Sequence, residues 1–205
     1  MGRPASLQRD EVLTRAANLF WKQGADNVST RDLEAAIGLR APAIYRRFPS
    51  KHVLLARAID HYVDTVIAGR IKRKLDGAAD PMQGLYDFFT STLRPHGREP
   101  RLRGCLLANT ATHADGQVPE VSAAIRRGWR VTDAALRRQI KRAQRAGQLS
   151  PQLDPAELSQ SLQMSLQGLL TLIRAGRTDL QPGIDTTFRL LGWPKRPPAE
   201  QERDA

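Results

Sequence analysis

The chain has 205 residues, 40% of them hydrophobic, and a formal net charge of +11. That length allows a sizeable core in one large or two small domains, and no apolar run approaches the ~18 residues of a membrane-spanning helix. The charge points to polyanionic partners, by itself without separating DNA from RNA or an anionic membrane, and one cysteine cannot build a disulfide framework, which suits a cytoplasmic protein.

The N-terminal Met-Gly-Arg-Pro-Ala-Ser lacks an apolar h-region, so no secretory signal is visible. The whole chain reads as helix, with no strand alternation and no internal repeat. A first helix is expected from about Leu7 to Gln23, with Val12, Ala16, Leu19 and Phe20 on one face. Residues 29–51 then carry the sharpest signal. Ser29 followed by Asp32 makes a capping-box start. Leu33 and Ile37, four apart, give the short helix one apolar face, and Gly38 stands where it must stop, in a conformation only glycine adopts cheaply. Leu39, Ile44 and Phe48 anchor a second helix. Pro42 belongs in a first helical turn, so that helix starts near Arg40 or Ala41. Two short helices joined through a glycine form a helix-turn-helix, whose second helix lays its first turn in the major groove.

These residues resemble the TetR family of transcriptional regulators. The likeness runs from about Leu7 to Leu55 and includes Ala16, Ala17, Leu19, Phe20, Gly24, Thr30, Asp32, Leu33, Gly38 and the run Ile44-Tyr45-Arg-Arg-Phe48-Pro-Ser-Lys51. Beyond it the resemblance rests on helix pattern and on Arg103-Gly-Cys-Leu-Leu-Ala-Asn109. It implies an all-α protein: a three-helix DNA-binding domain over 1–52 and a helical effector-binding and dimerisation domain over 53–193; the prolines and mixed charge of 194–205 read as a disordered tail. Two positions depart from the family pattern. Glu34 replaces a small residue, so its longer side chain is expected to splay outwards. Arg40 replaces the Ser or Thr that opens the recognition helix, which removes an N-cap hydroxyl.

DNA contacts follow by role. Arg40 is placed to bond a guanine edge. Ala41, Pro42 and Ala43 offer apolar contact, and Tyr45 and Arg46 lie one turn on. Thr30 and Arg31 sit at a helix N-terminus suited to phosphate. Lys51 starts the next helix and is expected to hold a backbone phosphate. Arg3 is a candidate flexible arm.

A long fourth helix after Ser50 carries Leu54, Ala58, Tyr62, Val66 and Ile71 and ends in a loop at Gly77–Pro81. A fifth starts at Pro81, with Leu85, Phe88, Phe89 and Thr92 on one face. Pro95–Gly104 is a basic loop, Cys105–His113 a short buried helix, and Pro119–Ala146 a long amphipathic one with Ile125, Trp129, Leu136 and Ile140 inward. Arg126, Arg130, Arg137, Lys141 and Arg145 form a basic stripe on it, flanked by Arg127, Arg138 and Arg142. Residues 120–147 hold a net +6, against +4 for residues 1–52. The stripe is either a solvated face or a second anionic contact. Asp154-Pro155-Ala-Glu157 opens another helix reaching about Ala175, with Leu158, Leu162, Leu166, Leu169 and Ile173 as its apolar stripe. A last helix spans about Ile184 to Leu191.

By resemblance, the final two helices pair with their copies in a homodimer, and Ser161, Leu162, Ser165, Gly168, Leu169, Leu172, Phe188 and Leu191 are candidate interface residues. A small-molecule pocket is expected among the C-terminal helices, with Tyr62, Val66, Phe88, Phe89, Cys105, Asn109, His113, Trp129 and Met164 as candidates. Each of these also fits a plain core position. Cys105 is either a small buried hydrophobe or a thiol whose pKa Arg101, Arg103 and a helix start lower, open to electrophiles or oxidants.

Cys105, His113 and Asp115 contain the residue types of a thiol hydrolase, but no oxyanion loop, Gly-rich phosphate loop, HExxH or metal-spaced cluster accompanies them. No enzyme, cofactor or metal site is therefore expected. The expected partners are operator DNA, a second copy of the chain and a small-molecule effector, with no membrane. A constitutive DNA-binding protein without an effector is the rival within the DNA-binding class.

Overall fold

The computed structural model describes residues 8–94 and 104–193. The expectations for Arg3, for Arg101 and Arg103, and for the 194–205 tail lie outside the described residues. The rest is all-α as expected, with nine helices and no strand among the described residues.

Three short helices form the N-terminal head. They are α1 (Arg9–Gln23), α2 (Thr30–Ile37) and α3 (Ala41–Arg47). The capping box at the start of α2 is fully formed, with Ser29 and Asp32 each bonding the other's backbone N–H. Gly38 closes α2 in the left-handed region at φ +79°, and the Arg15 guanidinium from α1 donates to the Ile37 carbonyl at 3.0 Å. That cation satisfies an orphan carbonyl at the negative end of α2. Val12, Ala16, Phe20, Leu33, Ile37, Ile44 and Phe48 meet in the centre. Each large side chain among them contributes about 1.5–3 kcal/mol by leaving water, which holds helices too short to stand alone.

Helix α4 occupies residues 51–76 and carries the chain from the head into the body. It is helical over Lys51–Tyr62, widens into a π turn at Val63–Ile67, regains α geometry over Ala68–Ile71, and widens again at Lys72–Asp76. The body adds α5 (Pro81–Thr90), α6 (Leu106–Ala111), α7 (Pro119–Arg145), α8 (Pro155–Arg174) and α9 (Gln181–Leu190). Asp80 and Asp154 cap α5 and α8 with their carboxylates, each ahead of an initial proline. α7 is the body's axis, packing against α4, α5 and α8, while α9 rests on α5. Gly128 permits the closest approach: a Cβ there would collide with Leu107 of α6 and Val63 of α4.

The three arginines that flank the expected basic stripe brace α7 against α4 and the loop that follows it. Arg127 donates twice to Asp60, at 2.7 and 2.9 Å, Arg138 pairs with Asp76, and Arg142 donates to the Leu75 and Ala78 carbonyls. Arg137 pairs with Asp133 on its own helix. The flanking guanidiniums are thus engaged internally, while Arg126 and Lys141 of the stripe itself are exposed.

Candidate nucleic-acid interface and effector pocket

The first turn of α3 lies on the surface of the head. Arg40 and Pro42 are exposed, Ala41 and Ala43 half-buried, and Arg31 and Arg46 exposed beside them. Ile44 and Phe48 face the opposite way, into the core. Thr30 and Tyr45, both expected near phosphate, are joined hydroxyl to hydroxyl at 3.2 Å, so the pair is set before any DNA arrives.

Glu34 does not splay outwards. Its Oε1 accepts the Ala41 N–H at 2.6 Å, and Arg40, at the N-cap position, makes no side-chain cap. The two departures from the family pattern therefore compensate. A carboxylate from α2 supplies the acceptor that the N-cap lacks, and places negative charge at the positive end of α3. Arg40 is left free to point outward.

Lys51 is otherwise engaged in the free protein: its ammonium donates to the Ala25 carbonyl at 3.0 Å and lies 3.2 Å from the Asp115 carboxylate, so it ties the head to the body. The same junction holds His52 on Asp115 at 3.0 Å, His113 against Asp26 at 3.3 Å, and the Asp115 N–H on Asp26. Burial alone would raise the Asp115 pKa, but the bonds and charges of Lys51 and His52 outweigh it and hold the carboxyl below its ordinary value. A compositional scan misses this cluster because its members lie up to 89 residues apart.

A small cavity lies inside the body. It is lined by Tyr62, Ile67 and Arg70 of α4, Phe88 of α5, Cys105 and Leu107, Trp129 and Thr132 of α7, and Leu166, Gln167 and Leu170 of α8. Four expected residues, Tyr62, Phe88, Cys105 and Trp129, are brought together there. Five are not. Val66 is displaced because the π turn adds a residue to the helical repeat, so Ile67 follows Tyr62 on the lining face. Phe89 packs on Phe188, ring centroids 5.5 Å apart. Asn109 is half-buried but lies off the cavity wall. His113 lies beyond the end of α6 and is held by Asp26, which also separates it from the face that carries Cys105. Met164 is 63% exposed on the outer face of α8.

Arg70 and Gln167 were not expected. Arg70 is eight residues beyond Tyr62 and readable on its face only once the π turn is known. Gln167 follows the apolar Leu166 and looks like a solvent position.

Cys105 is the N-cap residue of α6. Burial pushes its thiol pKa up, and this outweighs the N–H groups of Ala108 and Leu107, the Tyr62 hydroxyl and the Arg70 charge, which all pull it down. Of the two readings of Cys105, this favours the small buried hydrophobe over the activated thiol. Tyr62, buried beside it, is raised well above its ordinary value, mainly by burial.

The interface candidates separate by face. Leu162, Leu169 and Phe188 are buried in the chain's own core, and Leu191 is half-buried. The leucine stripe of α8 is already spent against α7, and Phe188 against Tyr86, Phe89 and Trp193. Ser161, Ser165, Gly168 and Leu172 remain on the outer face together with Met164. A Cβ added at Gly168 would meet nothing within 4 Å.

The fold and the exposed first turn of α3 define a helix-turn-helix DNA-binding regulator with a helical body. Comparison with known proteins agrees. Residues 12–58 match the model of bacterial regulatory proteins of the tetR family, and residues 81–182 match the tetracyclin repressor-like C-terminal domain. The HTH-type transcriptional repressor ComR of Escherichia coli is 26% identical over 196 residues, 95% of this chain and 92% of ComR. The TetR family regulator CifR, a cysteine mutant solved with 26-bp double-strand operator DNA, superposes with a TM-score of 0.80 at 26% identity, covering 94% of this chain and all of that one. Reduced E. coli NemR, at 15% identity and a TM-score of 0.79 over 89% of this chain and 95% of its own, shares the fold.

The chain belongs to the TetR family. It is a DNA-binding transcriptional regulator and not an enzyme. No described helix is long and apolar enough to cross a membrane.

Proposed function

We propose that this protein is a homodimeric repressor, released from its operator when a small molecule enters the cavity of the body. The observation that carries the reading is the cavity's position: three of its lining residues belong to α4, the helix that leaves the head. A ligand that prefers a different setting of α4 shifts the population of head positions. In a dimer this changes the spacing of two recognition helices away from one turn of DNA, about 34–36 Å. Residues 1–52 form the DNA-binding unit in this reading and 53–193 the effector and dimerisation unit.

At the DNA, Arg40 reads a base edge, Ala41, Pro42 and Ala43 approach closely, and Thr30, Arg31, Tyr45 and Arg46 position the head on the backbone. Support comes from their exposure and from the operator complex of CifR. The dimer is built on the outer face of α8, where Ser161, Ser165 and Gly168 allow close backbone approach beside the exposed Met164 and Leu172. ComR, named a repressor, supports the sign of regulation.

The test is a fluorescence-anisotropy titration of the purified protein on its own upstream DNA and on a scrambled duplex, at two salt concentrations. The expected result is a large preference for the upstream site, a steep salt slope, and a stoichiometry of two chains per site. A monomer on the DNA by sedimentation would refute the dimer. Equal affinity for both duplexes would refute an operator upstream of its own gene.

A further inference from the structure

The cavity has polar groups that the fold leaves unused. The Trp129 Nε1–H is buried with no acceptor, and the Gln167 Oε1 is buried with no donor. Both residues line the same cavity as the Arg70 guanidinium. Arg70 is half-buried, makes no ion pair with a described carboxylate, and the lining contains no acidic residue to balance it. Buried polar groups are nearly always partnered, and an exception asks for an explanation. Here the unused set is one cation, one N–H donor and one carbonyl acceptor, surrounded by Phe88, Leu107, Leu166 and Leu170. That set is the complement of a small apolar molecule bearing an anionic group and, elsewhere on it, an O–H or N–H.

Resting on the effector reading above, we propose that the ligand is a small organic acid. Its carboxylate is held by Arg70 and Trp129 Nε1, and a hydroxyl or amide hydrogen on the same molecule is donated to Gln167 Oε1. Charge-assisted bonds to a guanidinium are the strong ones, and an apolar surround strengthens them further. The cavity as it stands measures about 30 Å³, room for about one or two water molecules. Any such acid must therefore part the walls, three residues of which, Tyr62, Ile67 and Arg70, belong to α4. Occupancy is thereby coupled to the setting of α4.

The test uses the full-length protein with four probes: benzoate and 4-hydroxybenzoate, against the neutral benzamide and benzyl alcohol. Binding is followed by calorimetry and operator release by anisotropy. The expected result is that an acid binds at least tenfold more tightly than either neutral probe and releases the operator. Arg70→Met should remove that preference, Arg70→Lys should keep part of it, and Gln167→Glu should weaken the acids by setting a like charge against them. Retained operator binding shows that each variant is folded. If the neutral probes bind as well as the acids, or Arg70→Met leaves acid binding unchanged, the acid assignment is wrong and the effector reading survives. If none of the four binds at millimolar concentration while operator binding is intact, the acid assignment and the effector role of this cavity fall together.

Discussion

Replacing Glu34 by Ala restores a residue of the size usual at this position and, by the geometry, should harm the protein. Helix α3 has seven residues, and its first turn has one side-chain acceptor, the Glu34 Oε1 that bonds the Ala41 N–H. Losing a side-chain cap costs about 1 kcal/mol, and losing a carboxylate at the positive end of a helix adds up to about 1 kcal/mol more at a half-exposed site. A total near 1–2 kcal/mol lowers Tm by roughly 2–8 °C in a chain of this size. Glu34→Gln keeps a carbonyl acceptor and should lose about half as much. The decisive arm is the pair Glu34→Ala with Arg40→Ser, because a hydroxyl at the N-cap can supply the missing acceptor. Urea unfolding of the four proteins gives the coupling. The double variant should recover part of the loss of the single one. A Glu34→Ala protein as stable as the parent, or a double variant no better than the single, would show that the carboxylate is not what caps α3.

Lys51→Met should leave the salt slope of DNA binding unchanged and cost about 1–3 kcal/mol in urea, since it strands the Ala25 carbonyl and the Asp115 carboxylate. Arg46→Ala should reduce that slope by about one and leave stability alone; the opposite pattern would return Lys51 to the DNA face. Asp115, with a folded pKa held below its unfolded one, adds stability that is present above pH ~3.9 and lost as pH falls through the lowered value. Asp115→Asn should therefore flatten the stability profile below about pH 4, and a parallel acid limb in the variant would contradict the pairing. Gly128→Ala forces a methyl between Leu107 and Val63 and should cost about 1–3 kcal/mol by overpacking, measured by thermal unfolding.

Local chemistry made much of the fold legible. The caps at Ser29 and Asp154, the stop at Gly38 and the prolines at positions 42 and 81 each act within a few residues, and each set its helix boundary within a residue or two. What escaped depends on contacts distant in sequence or on a broken period. Val66 was chosen by a 3.6-residue repeat that the helix does not keep there. The tie from Lys51 to Asp115 was invisible because the two lie 64 positions apart. Leu162 and Phe188 are apolar enough for an interface, but apolarity does not say whether a face is already spent on the chain's own core. For Cys105, two opposing effects were visible, and only its depth in the body decides between them.

The two π turns of α4 have a mechanical consequence. An unbroken α-helix carries a push along its axis almost without shortening. A strut with two widened turns, one directly after Tyr62 and one before Gly77, has two places where it can buckle or let a residue slip back into the tighter repeat. Slippage at the first would exchange Ile67 for Val66 on the cavity wall and turn everything beyond by a fraction of a revolution. The head, held at the other end by Lys51 and Asp115, would feel this as torsion more than as displacement. The bracing of α7 by Asp60 and Asp76 lies on either side of the first weak point, so the strut is clamped at intervals and free to yield between the clamps.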